Sequence, residues 1–189
     1  MVLLYTLPLV TLRDCALLPG VRQRLLVGRP GTVATLNQVG RGEICFLQQQ
    51  HPMTLRPRMM GQLYEVGCIG VVHRREPMDH GERVYVDGVR RVLVRKLIPR
   101  LVQLAAEVED APALLSEDAG VAAQELFKRP SPGGDQAPAT TPSQFVYALA
   151  AGVAGPCDRQ PILAAACLDT VLSEVLEQLD RAAGGEWLQ

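Results

Sequence analysis

Pro8-Leu9-Val10-Thr11-Leu12-Arg13-Asp14, two apolar residues, and then Leu17-Leu18-Pro19-Gly20 form the stretch on which the fold turns. A short apolar run ahead of a charged pair reads as a strand that ends at Arg13-Asp14, whose ion pair and carboxylate fix the next turn. Pro19-Gly20 sets a fixed φ before a permissive one, which suits a tight reversal. No chemistry is needed to explain either pair. The chain therefore opens with a β segment that is sharply turned back.

Working outward, strands come first and helices second, the order of an α+β protein. Leu7 to Leu12, Leu25 to Val27 and Ile44 to Gln49 read as short strands, with a helix from near Pro30 to Gly40-Arg41-Gly42 between the last two. Val66 to Arg75 and Arg83 to Lys96 flank the turn signal Asp79-His80-Gly81 and predict a long antiparallel hairpin. Asp87-Gly88 is a rival turn signal inside the second arm, and propensity alone would place a hairpin there. Leu101 to Glu109 alternates weakly and reads as a sixth strand.

Past residue 110 the period changes. Asp110 can cap a helix starting at Ala111-Pro112 that places Leu115, Ala119, Ala122 and Leu126 on one face. Residues 130–142 hold four prolines and two glycines, the composition of a solvated linker. Thr141-Pro142-Ser143-Gln144 has the form of a capping box with proline at the first helical position, ahead of a helix over Phe145 to Ala154 that Gly155-Pro156 breaks. Leu168, Val171, Leu172, Val175, Leu176 and Leu179 keep helical spacing up to the Gly184-Gly185 stop. A bundle of three or four helices is expected there.

Four stretches together resemble the amino-terminal substrate-recognition domain of Lon proteases. The opening fits the family's P-L-x-x-L-R-D-x-x-x-x-P-G, with Arg13, Asp14, Pro19 and Gly20 in place. Tyr64-Glu65-Val66-Gly67-Cys68-Ile69-Gly70 resembles Y-x-V-G-T-x-A, Asp79-His80-Gly81 sits at the family's P-D-G hairpin, and Val84 to Arg91, with Gly88, resembles V-L-V-E-G-x-x-R. Order and spacing hold across about residues 5–100. The resemblance implies a six-stranded β-barrel lobe of the pseudouridine-synthase-archaeosine-transglycosylase (PUA) type over residues 1–109, then a small helical bundle over 110–189. It also implies that Gly88 lies at a bulge in one continuous strand. Two departures set this chain apart: Arg22-Gln23-Arg24-Leu25 where the family has proline and bulky apolar residues, and a basic, Met-rich loop over 50–60 where it tends to be acidic.

Composition narrows the function. With 48% hydrophobic and 21% charged residues and a net charge of -1, the 189 residues read as a soluble globular protein. The apolar run Phe145 to Gly155 is about half of what crosses a bilayer, and the amino terminus lacks a secretion signal, so no membrane partner and a cytoplasmic location are expected. Five scattered cysteines without a C-x-x-C pair read as small buried hydrophobes, and His51, His73 and His80 are not at ligand spacing with them; no metal and no cofactor are expected. The charge is unevenly placed. Residues 1–100 carry fifteen bases against seven acids (+8), and residues 101–189 carry four against thirteen (-9). Such a split suits a basic lobe with an acidic partner, or two lobes that attract each other.

The catalytic parts of a Lon protease are missing from the sequence. There is no G-x-x-x-x-G-K-[ST] loop, since neither Lys96 nor Lys128 follows glycine, and no serine sits in a strained turn beside a base. No catalytic residue is assigned. The leading expectation is a non-catalytic domain that binds unfolded or tagged polypeptide segments, or a partner protein, in the cleft between barrel and helices, as an adaptor in protein quality control. The candidate contacts are Met59, Met60, Leu63 and Tyr64, where methionine adapts its shape and tyrosine joins apolar area to a polar tip, together with Arg24. RNA binding by the basic lobe is the alternative, through Arg56, Arg58, Arg74, Arg75, Arg90, Arg91 and Arg95 acting on phosphates. A further reading makes the chain the amino-terminal fragment of a complete ATP-dependent protease; Met1 and the Gly184-Gly185 stop argue for a self-standing domain.

Overall fold

A computed structural model describes residues 3–53, 59–100, 103–127, 139–155 and 158–182. Six strands, β1 Tyr5–Leu12, β2 Arg22–Val27, β3 Glu43–Gln48, β4 Val66–Met78, β5 Gly81–Pro99 and β6 Leu104–Asp110, form one sheet, with α1 Pro30–Val39 crossing from β2 to β3. Four more helices follow: α2 Glu117–Phe127, α3 Pro142–Val153, α4 Arg159–Ala164 and α5 Leu168–Ala182. The architecture is the expected α+β one.

The sheet is ordered β2-β5-β4-β3-β1-β6, and a further β5–β6 pairing curls it into a ring. All pairings are antiparallel except β1 with β3. The long strand β5 makes the closure possible. Its residues 82–87 pair with β2 and its residues 92–99 pair with β6 along the same edge, while β4 runs along the other. At the far side, β1 pairs with β6 only over Tyr5 to Leu9 and with β3 over Leu9 to Leu12. β6 thus bridges β5 to β1 in one half of the ring. In the other half β2 extends the sheet from β5 and stops short of β1.

The strand residues alternate as a half-buried sheet requires: β2 reads buried at Gln23, Leu25 and Val27 and exposed at Arg24 and Leu26. Asp87-Gly88 is no hairpin. β5 runs through it, with a register shift between Ile69 and Gly70 that leaves Val89 bulged. Gly88 is required because a Cβ would run into the Leu18 carbonyl, and there Gly20 N–H donates to Gly88 O (2.8 Å) while Gly88 N–H donates to Val21 O (2.9 Å). The Pro19-Gly20 reversal is buried, with Gly20 at φ 72°. Gly81, at φ 98°, makes the β4–β5 turn, and Gly67 packs directly against Phe46 O.

Two hydrophobic cores result. One lies within the ring, around Leu9, Cys45, Leu47, Leu63, Ile69 and Val92, without a helical member. The other joins the opposite side of the strands, at Leu17, Phe46, Val84 and Val86, to Tyr147, Leu163, Leu168 and Leu172 of the helices. Burial raises the Cys45 thiol to about 12 and the Cys68 thiol further still, so both stay protonated as apolar packing groups.

Several sequence expectations need correction. Asp110 ends β6 and caps no helix; α2 begins at Glu117, and its buried face carries Ala123 rather than the exposed Ala122. Residues 111–116 stay out of helix, with Leu114 tied to Ala166 and Leu168 by backbone hydrogen bonds of 2.7 Å each. Among the described residues no ion pair joins Arg13 to Asp14; both side chains are exposed. The capping box at Thr141 is present, with Gln144 N–H on Thr141 Oγ1 at 3.4 Å and Thr141 N–H on Gln144 Oε1 at 3.3 Å. The linker at 130–138 and the Gly184-Gly185 stop lie outside the described residues.

Candidate functional site

The stretch around Met60 is built by the end of β3. Leu63 bridges to Gln49, Tyr64 N–H donates to Gln48 O (3.0 Å), and Gln50 Nε2 donates to Leu63 O (2.9 Å), which holds residues 60–62 in a 3-10 turn. This hydrogen bonding decides which side chains point in. Leu63 is fully buried in the ring core, and Met60 is half-buried against it. Met59 and Tyr64 face out, 66% and 37% exposed. The four residues thus divide into two that pack and two that are exposed, and among the described residues the core beneath them takes no member from α1 to α5.

Arg24 is not beside them. It pairs with Tyr85 of β5, whereas the start of β4 next to Tyr64 pairs with Leu93, eight positions further along the same strand, or up to roughly 26 Å. Arg24 lines a different feature. Where β2 stops short of β1, a groove of ≈ 420 Å³ opens, floored by Val10, Leu12, Leu25, Leu36, Phe46 and Val86, and rimmed by Arg13, Asp14, Arg24, Leu26 and Arg29. Leu26 is 73% exposed at its mouth. Among the described residues neither the Arg13 nor the Arg24 side chain has an ion-pair or hydrogen-bond partner. Burial, and then the neighbouring Arg13 charge, holds the Arg29 guanidinium below its ordinary value. The sequence singled out Arg24 but not the groove that it lines, since the groove comes from two strands that do not pair.

Most of the arginines considered for phosphate contacts are already engaged. Arg75 forms a bidentate pair with Glu82 (2.7 and 2.8 Å), and Arg74 pairs with Glu76 and lies over the Tyr85 ring at 5.8 Å. Arg90 joins Glu43, Tyr5 and Asp110 in one network, and Arg95 pairs with Glu109. Arg91 serves the helices: it donates to the carbonyls of Leu163 (2.7 Å) and Ala164 (3.2 Å) at the end of α4 and to that of Ala111. Among the described residues, Arg22, Arg74, Arg75, Arg83, Arg90 and Arg95 each pair with an acid of the same sheet, and Arg91 ties the sheet to the helices through backbone carbonyls. Arg56 and Arg58 lie outside the described residues.

Among the described residues no three His, Cys, Asp or Glu side chains gather as a metal site, and no helix is long and apolar enough to cross a membrane. A β ring with one incomplete wall, helices sharing its second core and an apolar-floored groove at the break together make up a fold of the Lon amino-terminal type. The chain belongs to the family described as the ATP-dependent protease La (LON) substrate-binding domain, which matches residues 6–181. It is 32% identical to Lon protease 4 of Sorangium cellulosum over 125 residues, 65% of this chain and 16% of that protein. It is 29% identical to the Lon protease of Koribacter versatilis over 108 residues, 57% of this chain and 13% of that one. The chain therefore spans only a small part of the length of these relatives. In fold it is similar to the N-terminal domain of Mycobacterium avium complex Lon protease, with a TM-score of 0.66, 14% identity and coverage of 92% and 97% of the two chains. It is also similar to a Lon N-terminal domain protein from Xanthomonas campestris, with a TM-score of 0.56, 20% identity and coverage of 92% and 98%.

Proposed function

We propose that this domain captures exposed apolar segments of unfolded or tagged polypeptides without cleaving them, and presents them to a partner in protein quality control. The observation that carries the reading is the match across residues 6–181 to the Lon substrate-binding domain family. Two apolar surfaces support it: the groove between β1 and β2, and the Met59 and Tyr64 side chains at the start of β4. Methionine and tyrosine suit such contacts because one adapts its shape and the other joins apolar area to a hydrogen-bonding tip. Binding of this kind is expected in the micromolar range, about -8 kcal/mol. The relatives are whole proteases of which the chain spans 16% or less, which favours a second reading in which the same surfaces feed substrate to ATPase and peptidase domains. RNA binding is disfavoured by the internal pairing of Arg74, Arg75, Arg90, Arg91 and Arg95.

Fluorescence anisotropy with a labelled, reduced and carboxymethylated protein tests the proposal. Saturable binding is expected, weakened several-fold by Met59→Asp or Tyr64→Ser, with the probe recovered uncut. Met60→Asp is a poorer test, because Met60 packs on the ring core and a charge there would disturb the fold as well.

A further inference from the structure

Among the described residues the groove lies between β1 and β2, which do not pair. β6 closes the ring between β5 and β1 as far as Leu9, and beyond it Val10 to Leu12 of β1 have β3 on one side and, among the described residues, no strand on the other. β2 faces them from across the groove, with β5 as its only strand neighbour among the described residues. Its backbone direction can be deduced. Gly88 N–H donates to the Val21 carbonyl, and antiparallel partners alternate, so the N–H and C=O of Arg24 and Leu26 point away from β5. Edge strands are usually covered, bulged or charged, and an uncovered one accepts an extended peptide through main-chain hydrogen bonds.

The side chains around this edge state what would fit. The floor is apolar and Leu26 lies exposed at the mouth. On the rim, among the described residues, the unpaired side chains of Arg13 and Arg24 stand with one acid, Asp14. A bound carboxylate would relieve the repulsion between Arg13 and Arg29 and give Arg24 a counter-charge it lacks among the described residues. We propose that an extended polypeptide segment carrying both apolar and acidic residues adds to β2 as a strand, placing an apolar side chain in the groove and a carboxylate against Arg24 and Arg13. This rests on the polypeptide-binding reading and names the substrate chemistry of the site.

The test uses the full chain and two labelled twelve-residue peptides of alternating apolar and charged residues, one with Glu and one with Lys at the charged positions. Anisotropy should show the Glu peptide binding at least tenfold more tightly. Arg24→Glu should remove that preference. Leu26→Pro deletes one outward N–H at an edge position where proline is tolerated, so it should weaken the Glu peptide about tenfold, while Leu26→Ala weakens it no more than threefold. Melting curves of the variants identify any that fail to fold, and in that case Arg24→Gln and Leu26 N-methylation by semisynthesis give the same readouts. Equal binding of both peptides, or unchanged affinity in Arg24→Glu and Leu26→Pro, overturns the strand-addition proposal. If the carboxymethylated protein still binds in those variants, only this proposal falls; if wild type binds no polypeptide at all, the functional reading falls with it. Arg24-dependent binding of a labelled RNA in place of the peptides also overturns it.

Discussion

Gly88 and Asp110 show how single residues set the shape of this domain. At Gly88 a Cβ would strike the Leu18 carbonyl, so Gly88→Ala forces apart the reversal at Pro19-Gly20 and the bulge in β5. A loss of about 1 to 3 kcal/mol is expected, seen as a lower urea midpoint at unchanged slope, whereas Gly61→Ala, with nothing within 4 Å, should stay within about 0.5 kcal/mol. At Asp110, hydrogen bonds from Tyr5 and then Arg90 hold the carboxyl below its ordinary 3.8. The unfolded carboxyl titrates at the ordinary value, so the contribution is full above it and fades as pH falls through the lower folded value. Asp110→Asn should therefore make the acid arm of a stability-against-pH curve shallower, by a small amount because Asp110 is more than half exposed. The glycine was legible in the sequence through the motif around it. The Asp110 network was not, because Tyr5, Glu43 and Arg90 meet only when the ring closes.

Among the elements, those with local signals were read well. The proline at the start of α1, the hairpin at Asp79-His80-Gly81 and the Thr141 capping box all act within a few residues of sequence, and each appears where expected. Thr141→Ala should cost about 1 kcal/mol and raise hydrogen exchange in the first turn of α3 before other helices respond. The start of α2 differs from the sequence expectation for a tertiary reason: Leu114 is drawn into backbone pairing with Ala166 and Leu168, which keeps it out of the helix that Asp110 could otherwise cap. The candidate site divided for a similar reason. Leu63 looked like part of an apolar contact cluster, but its bridge to Gln49 turns the side chain into the ring. Leu63→Ala should cost about 2 to 5 kcal/mol, so any binding lost in that variant reports unfolding rather than a missing contact.

Across the whole molecule, the helices are fastened to the barrel by a shared core and by Arg91, whose guanidinium caps the end of α4 and holds the Ala111 carbonyl. Arg91→Met should loosen that attachment by about 1 to 3 kcal/mol, with exchange rising in α4 ahead of the β5–β4 ladder. The charge split in the sequence allowed either an acidic partner for the basic lobe or two attracting lobes; in the structure many strand arginines pair with acids of their own sheet, while Arg13 and Arg24 stand on the groove rim, a feature whose two walls only the folded ring brings together. The central claim is that this Lon amino-terminal domain holds polypeptide at that break in the ring and does not cut it. Chemical-shift mapping of the isotope-labelled chain with an unfolded, carboxymethylated protein tests it most directly: saturable shifts at residues 22–29 of β2 and its connection to α1, with the added protein intact, are predicted, and an unchanged spectrum across a titration to roughly 1 mM, well beyond a micromolar affinity, would contradict it.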